Sequence, residues 1–142
     1  MKIRRSVLVT AGALACLAIP AVASPAAADS MVTGSCGVTG AYGAYTGFFV
    51  SKTRIDPLRL RAVDNAADGH HAAVRLSTVQ NDGNLVAWSW HRNYGGNGSD
   101  QVWDTYATDA KGIAAVRIDV GLFEGNDLLK ICTSTKKDNP YS

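Results

Sequence analysis

"HAAVRLSTVQNDGNLVAWSWHRN", residues 71–93, decides the fold class. In its first half Val74 and Leu76 alternate with Arg75 and Ser77, the period-two pattern of a strand with one buried face. Asn81-Asp82-Gly83-Asn84 follows, and Asp-Gly supplies the backbone angles that a tight hairpin needs. The second half then returns along the first as "LVAWSWHRN". Read as one unbroken strand, it places Val86, Trp88, Trp90 and Arg92 on one face, with Leu85, Ala87, Ser89 and His91 on the other.

The same rhythm extends outward in both directions. "FFVSKTRI" (48–55) stops at Asp56-Pro57, and "LRLRAVD" (58–64) alternates Leu58 and Leu60 with Arg59 and Arg61. "DQVWDTYAT" (100–108) runs to the turn "DAKG", and "IAAVRIDVGLF" (113–123) sets Val116, Ile118 and Val120 against Arg117 and Asp119. "EGND" turns the chain into "LLKICTST" (128–135). Beyond the leader no long stretch carries a helical period. About seven short strands with regular turns predict an all-β, two-sheet sandwich of immunoglobulin-like size, with a closed barrel as the alternative. The Cys…Trp…Cys order is that of an immunoglobulin domain, but Cys36 and Cys132 lie too far apart to be its inter-sheet pair.

Residues 29–47, "DSMVTGSCGVTGAYGAYTG", are rich in Gly, Ser and Thr and read as an irregular arm with at most one short strand. The sandwich domain is then 48–135, and "KKDNPYS" (136–142) a polar tail. An arm of this kind either packs along its own sandwich or docks in extended form on another protein.

Residues 1–28 have the parts of a cleaved secretory signal: Lys2, Arg4 and Arg5, an apolar middle from Val7 to Ala23, and small residues at Ala26-Ala27-Ala28. Arg4-Arg5 leaves the choice between general and twin-arginine export open. No other stretch is apolar for the ~20 residues that a spanning helix needs. Removing the leader's three basic residues leaves eleven Lys and Arg against twelve Asp and Glu. A near-neutral exported chain argues against nucleic acid or an anionic membrane as partner. Cys16 leaves with the leader, and the remaining pair, Cys36 and Cys132, reads as a structural disulfide in an exported domain. The alternative, free or metal-binding thiols, has no C-x-x-C spacing or neighbouring histidine behind it.

The candidate sites are weaker than the fold. Trp88 and Trp90 on one face, with Trp103 on the next strand, form either core or an aromatic ligand platform; Arg92 and Tyr94 extend that candidate surface. Ser89 and His91 lack a nucleophile elbow, so His91 reads as a solvated side chain on the outer face. Asp64, Asp68, His70 and His71 gather carboxylates and imidazoles, but adjacent histidines on a strand point apart and the spacing fits no metal motif. The acids at 82–84 and 124–127 miss the calcium-loop spacing. Asn97-Gly98-Ser99 matches the glycosylation sequon. No catalytic residue, metal or cofactor is assigned, and a non-enzyme is expected.

Three runs, "VDNAADGHHAAVRL", "DGNLVAWSWH" and "GGNGSDQVWDTYATDAKGIAAVRIDV", together with the Ala-rich leader and the domain-spanning cysteine pair, carry a resemblance over residues 58–122. The chain resembles small exported β-sandwich proteins of filamentous actinomycetes, and among them the connector subunit of secreted umbrella toxin particles of Streptomyces. That resemblance implies a non-catalytic role, joining a long repeat-bearing toxin protein to lectin subunits. The functional expectation is therefore a secreted adaptor that binds other secreted proteins. The alternatives are a glycan-binding module using Trp88, Trp90 and Trp103, or an inhibitor or antimicrobial effector acting through the loop Tyr94–Asp100.

Overall fold

A computed structural model describes residues 30–142, so the signal-peptide reading falls outside the described residues. Ten strands form and, among the described residues, no helix. They are β1 (Met31–Val38), β2 (Ala41–Ser51), β3 (Arg54–Asp64), β4 (His71–Val79), β5 (Leu85–Ala87), β6 (His91–Asn93), β7 (Asp100–Thr108), β8 (Ala115–Glu124), β9 (Asp127–Thr133) and β10 (Lys137–Asp138). One sheet has the order β1-β2-β3-β7. In the other, β8 and β4 pair at the centre; β9 and β10 share the free side of β8, and β5 and β6 share the free side of β4. The expected two-sheet all-β sandwich is what the chain forms.

Alternation places the core where the sequence puts it. Leu58, Leu60 and Ala62 of β3 meet Val74 and Leu76 of β4 and Val116, Ile118, Val120 and Leu122 of β8, all buried between the sheets. The arginines between the leucines face water, where Arg59 pairs with Asp104 and Arg61 with Asp100 across the β3–β7 ladder. These exposed pairs fit the register more than they stabilise it. Pro57 does not end a strand, as its dipeptide suggested. β3 runs through it as a central strand, and the register shifts between Ile55 and Leu58 absorb the missing N–H.

Residues 31–51 depart most from expectation. In place of the irregular arm expected at 29–47 they form a β-hairpin paired residue for residue, from Met31 with Phe48 to Val38 with Ala41. Its inner face reads Ala41, Gly43, Tyr45, Gly47, Phe49, so two of five core-facing positions carry no side chain. The glycines make room. A Cβ on Gly43 would overlap the Cγ2 methyl of Val120, and one on Gly34 would lie 2.6 Å from the Tyr45 ring. Tyr45 and Phe49, 2% and 1% exposed, fill the space between these gaps.

The disulfide closes this same region. Cys36 pairs with Gly43 on β1–β2, and Cys132 pairs with Val120 on β8–β9. Gly43 against Val120 is thus the close approach of the sheets beside which Cys36 and Cys132 join them, with Cα atoms 6.2 Å apart. The C-terminal residues are also more than a polar tail. β10 pairs with β8, and Asn139, 4% exposed, donates to the carbonyls of Ile113 (2.7 Å) and Ser51 (3.1 Å), tying the two sheets at one end.

Candidate functional site

The return strand of the central hairpin is broken, and the break decides what faces outward. β5 pairs with β4 in one register, Thr78 with Val86 and Ser77 with Ala87, and Trp88 N–H still follows it by donating to Leu76 O. β6 resumes with Val74 opposite His91, one residue out of step. A single extra residue at Ser89–Trp90 therefore reverses the faces of everything after it. Trp88 and Trp90 do not share a face: Val86 and Trp88 point inward, Trp90 and Arg92 outward. His91 is corrected with them. It points inward, not into solvent on the outer face.

The inward group is structural. Trp88 packs on the core and donates from Nε1 to Thr78 Oγ1 at 3.1 Å. Trp103, inward on β7 opposite Leu60, packs on the core too and meets the His91 ring at 5.2 Å. Burial holds the His91 imidazole below its ordinary pKa. Ser89 is exposed at the bulge and lines one small cleft with His91, but no side-chain hydrogen bond joins the two among the described residues.

The outward group forms one continuous stack on the second sheet. Tyr94 lies 4.6 Å from His71, His71 stacks on Phe123 at 5.6 Å, and Phe123 receives Trp90 edge-on at 5.1 Å. Two guanidiniums interleave: Arg92 over Phe123 at 4.2 Å and Arg75 over Trp90 at 4.6 Å. Gly121 lies under this layer, since a Cβ there would meet Leu128 and Phe123, each at 2.8 Å, and Trp90 at 3.1 Å. Phe123 is only 3% exposed although it faces away from the core.

Polar groups fix the stack from below. Asp119 on β8 accepts from Arg75 Nε (2.8 Å) and Ser77 Oγ (2.9 Å) of β4 and from Thr133 Oγ1 (2.7 Å) of β9. Burial pushes the Asp119 carboxyl up, but these three bonds and the Arg75 charge outweigh it and hold the group below the usual carboxylate range. Arg92 Nη1 lies 3.1 Å from His71 Nε2 and donates to Gly125 O at 2.8 Å. His71, 8% exposed, is held below its ordinary pKa by burial first and by Arg92 second, against an opposing pull from Asp64.

At the Tyr94 end the stack borders a cleft of about 310 Å3 between residues 66–70 and 94–97, walled by His70, His71 and Tyr94. Asn93 anchors the second of these loops. It is 1% exposed, donates to Ala62 O and Ser99 O, and accepts from Gly95 N and Ser99 Oγ. With the loop pinned, Tyr94 projects at 71% exposure. Exposed Leu128, Leu129 and Ile131 of β9 continue the apolar margin at the Phe123 side.

Of the five candidate surface residues, Trp90, Arg92 and Tyr94 come together, and Trp88 and Trp103 pack, partly buried, against the core. Cys36 and Cys132 form the expected bond. The acid–histidine run disperses: Asp64 is buried at the end of β3, and Asp68 instead lies 3.1 Å from His70. No cluster of three metal-ligating side chains occurs among the described residues. The sequon serine has its hydroxyl engaged by Asn93 and Gly96. Sequence reasoning missed His71 and Phe123 as site members. Phe123 had a signal, being a large aromatic in the same phase as Arg117 and Asp119. Comparison with protein families, curated proteins and solved structures gives no match to this chain.

Proposed function

We propose that this protein is a non-catalytic binding module whose contact surface is the outer face of the second sheet. The observation that carries this reading is the interleaved stack of Tyr94, His71, Arg92, Phe123, Trp90 and Arg75, rigid beneath and bordered by exposed Leu128, Leu129 and Ile131. Tyrosine, tryptophan and arginine on a stiff support, ringed by apolar side chains, are the composition of protein-binding hot spots. A sugar platform needs open ring faces. Here Arg75 lies over Trp90, while Trp88 and Trp103 pack on the core, which favours a protein partner over a glycan. The disulfide and the leader-like start support an extracellular setting, and an adaptor between larger secreted proteins is the role that the resemblance implies.

The experiment is capture from the host's secreted proteins on the immobilised domain. Tyr94→Ser and Ile131→Ser, both exposed, should each reduce recovery of the partner about tenfold or more, the loss of a hot-spot contact. Phe48→Ser, on the other sheet's outer face, should leave it unchanged. Equal recovery by all three variants would overturn the reading.

A further inference from the structure

We infer that protonation of His71 opens this face, so that the proposed contact surface is built at neutral pH and dismantled in mild acid. The inference concerns regulation of the surface proposed above and rests on that reading for its consequence, although the switch itself belongs to the isolated domain.

The argument starts from what an arginine can do. A guanidinium only donates hydrogen bonds, and Arg92 Nη1 lies 3.1 Å from His71 Nε2. Nε2 must therefore accept, which places the single imidazole proton on Nδ1 and makes the assembled stack a property of neutral His71. A proton added at Nε2 sets two donors with like charge against each other. Solvent softens this only in part, since His71 is 8% exposed, lies between Tyr94 and Phe123, and meets the cleft at one edge.

Arg92 cannot stay and ignore the change. The same Nη1 donates to Gly125 O at 2.8 Å, and its guanidinium lies over Phe123 at 4.2 Å. Moving either His71 or Arg92 uncovers Phe123 and loosens Trp90, which rests edge-on against it. The other charged groups around His71 do not rescue the pair. His70 adds like charge when protonated, and it is the partner of Asp68 on its own loop and of Glu124 at 4.0 Å on β8. Asp64, at the end of β3, attracts the imidazolium but is the lesser influence beside burial and Arg92. Tyr94 offers its ring to His71.

The test uses the oxidised domain alone, followed by the side-chain nitrogen resonances of its histidines and by the Trp90 indole N–H resonance from neutral to about pH 4.5. The expected result is an Nδ1-protonated His71 at neutral pH and one transition below the ordinary histidine value. In that transition the Gly125 amide and the Trp90 indole N–H resonance move with His71. His71→Gln, whose Oε1 can accept from Arg92 without titrating, should flatten the transition, and Arg92→Gln should move the His71 midpoint upward. A proton on Nε2 at neutral pH, or Gly125 and Trp90 signals indifferent to His71 protonation, would overturn the inference; both are read on the unaltered protein. Partner capture that depends on Tyr94 yet is undiminished at about pH 5 would also overturn it while leaving the binding face standing. A normal transition with capture indifferent to Tyr94 would instead remove the binding reading alone.

Discussion

Replacing Gly43 with alanine adds one methyl group at the closest approach of the two sheets. In an ordinary strand this change gains stability, about 0.5–1 kcal/mol, because the unfolded chain loses freedom. Here the new Cβ overlaps Val120 Cγ2 and comes within 3.2 Å of Arg61 O. Val120 is fully buried and its strand is held by β4 on one side and β9 on the other, so it cannot step back. Overpacking of this kind costs roughly 1–3 kcal/mol and sometimes more, so Gly43→Ala should be net destabilising by about 1–2 kcal/mol. That corresponds to a fall in Tm on the order of 5–10 °C for a domain of this size. Urea unfolding of the oxidised protein gives the free energy, and a double-mutant cycle identifies its cause. Val120→Ala alone should cost about 2–3 kcal/mol for the lost methyls and the cavity. Combined with Gly43→Ala it should cost less than the sum by about 1 kcal/mol or more, because the smaller residue leaves space for the new methyl. A Gly43→Ala protein as stable as the parent, or strictly additive effects, would refute the claim that sheet spacing is set at this glycine.

Three further outcomes follow from other parts of the structure. Asp119→Ala should cost roughly 2–4 kcal/mol by leaving Arg75, Ser77 and Thr133 without their shared acceptor; because the native carboxyl is held below its usual range, its contribution is complete above about pH 4 and disappears as pH falls through the folded value, so an acid-unfolding curve for Asp119→Asn should lack that slope. Replacing both Cys36 and Cys132 by alanine opens a loop of 96 residues and should lower stability by about 4–5 kcal/mol in chemical denaturation. The buried hydroxyl of Tyr45 is pushed up to about 12 by desolvation; a raised folded value means stability that is whole below about pH 10 and lost as pH rises toward 12, and Tyr45→Phe should abolish this alkaline loss in a thermal-melting series.

What could be read from the sequence followed from where large side chains stand. β3, β4 and β8 were legible because Leu58 and Leu60, Val74 and Leu76, and Val116, Ile118 and Val120 mark every second position against arginine or aspartate. The β1–β2 hairpin was illegible for the opposite reason: its core-facing positions include Gly34, Gly43 and Gly47, and an alternation of nothing with something small leaves no hydrophobic period. The missing volume is supplied by Val120 of β8 and by the Tyr45 ring across the hairpin from Gly34, which no hydrophobic period announces. The site was half legible. Trp90, Arg92 and Tyr94 stood out as residue types, but the one-residue slip at Ser89–Trp90 has no Gly or Pro to signal it and sent Trp88 to the other face. His71 and Phe123 reach the same stack through strand pairing, a relation between positions 52 residues apart in the chain that only the register of β4 on β8 creates.

The single disulfide has a consequence for how this molecule meets proteases. Its two half-cystines lie on β1 and β9, so the loops at 65–70, 81–84, 94–99, 109–114 and 125–126 all fall within one covalent ring. Loop tips are where proteases cut, yet a cut at any of these leaves a single molecule whose pieces still face each other at the effective concentration of a tethered pair. Strands on either side of the nick can re-pair without a search, because diffusion apart is forbidden until the Cys36–Cys132 bond is reduced. Damage to the backbone and loss of the fold are thereby made separate events. The same ring admits new chain ends at the Asn81–Asn84 turn, provided that the cysteine pair is kept.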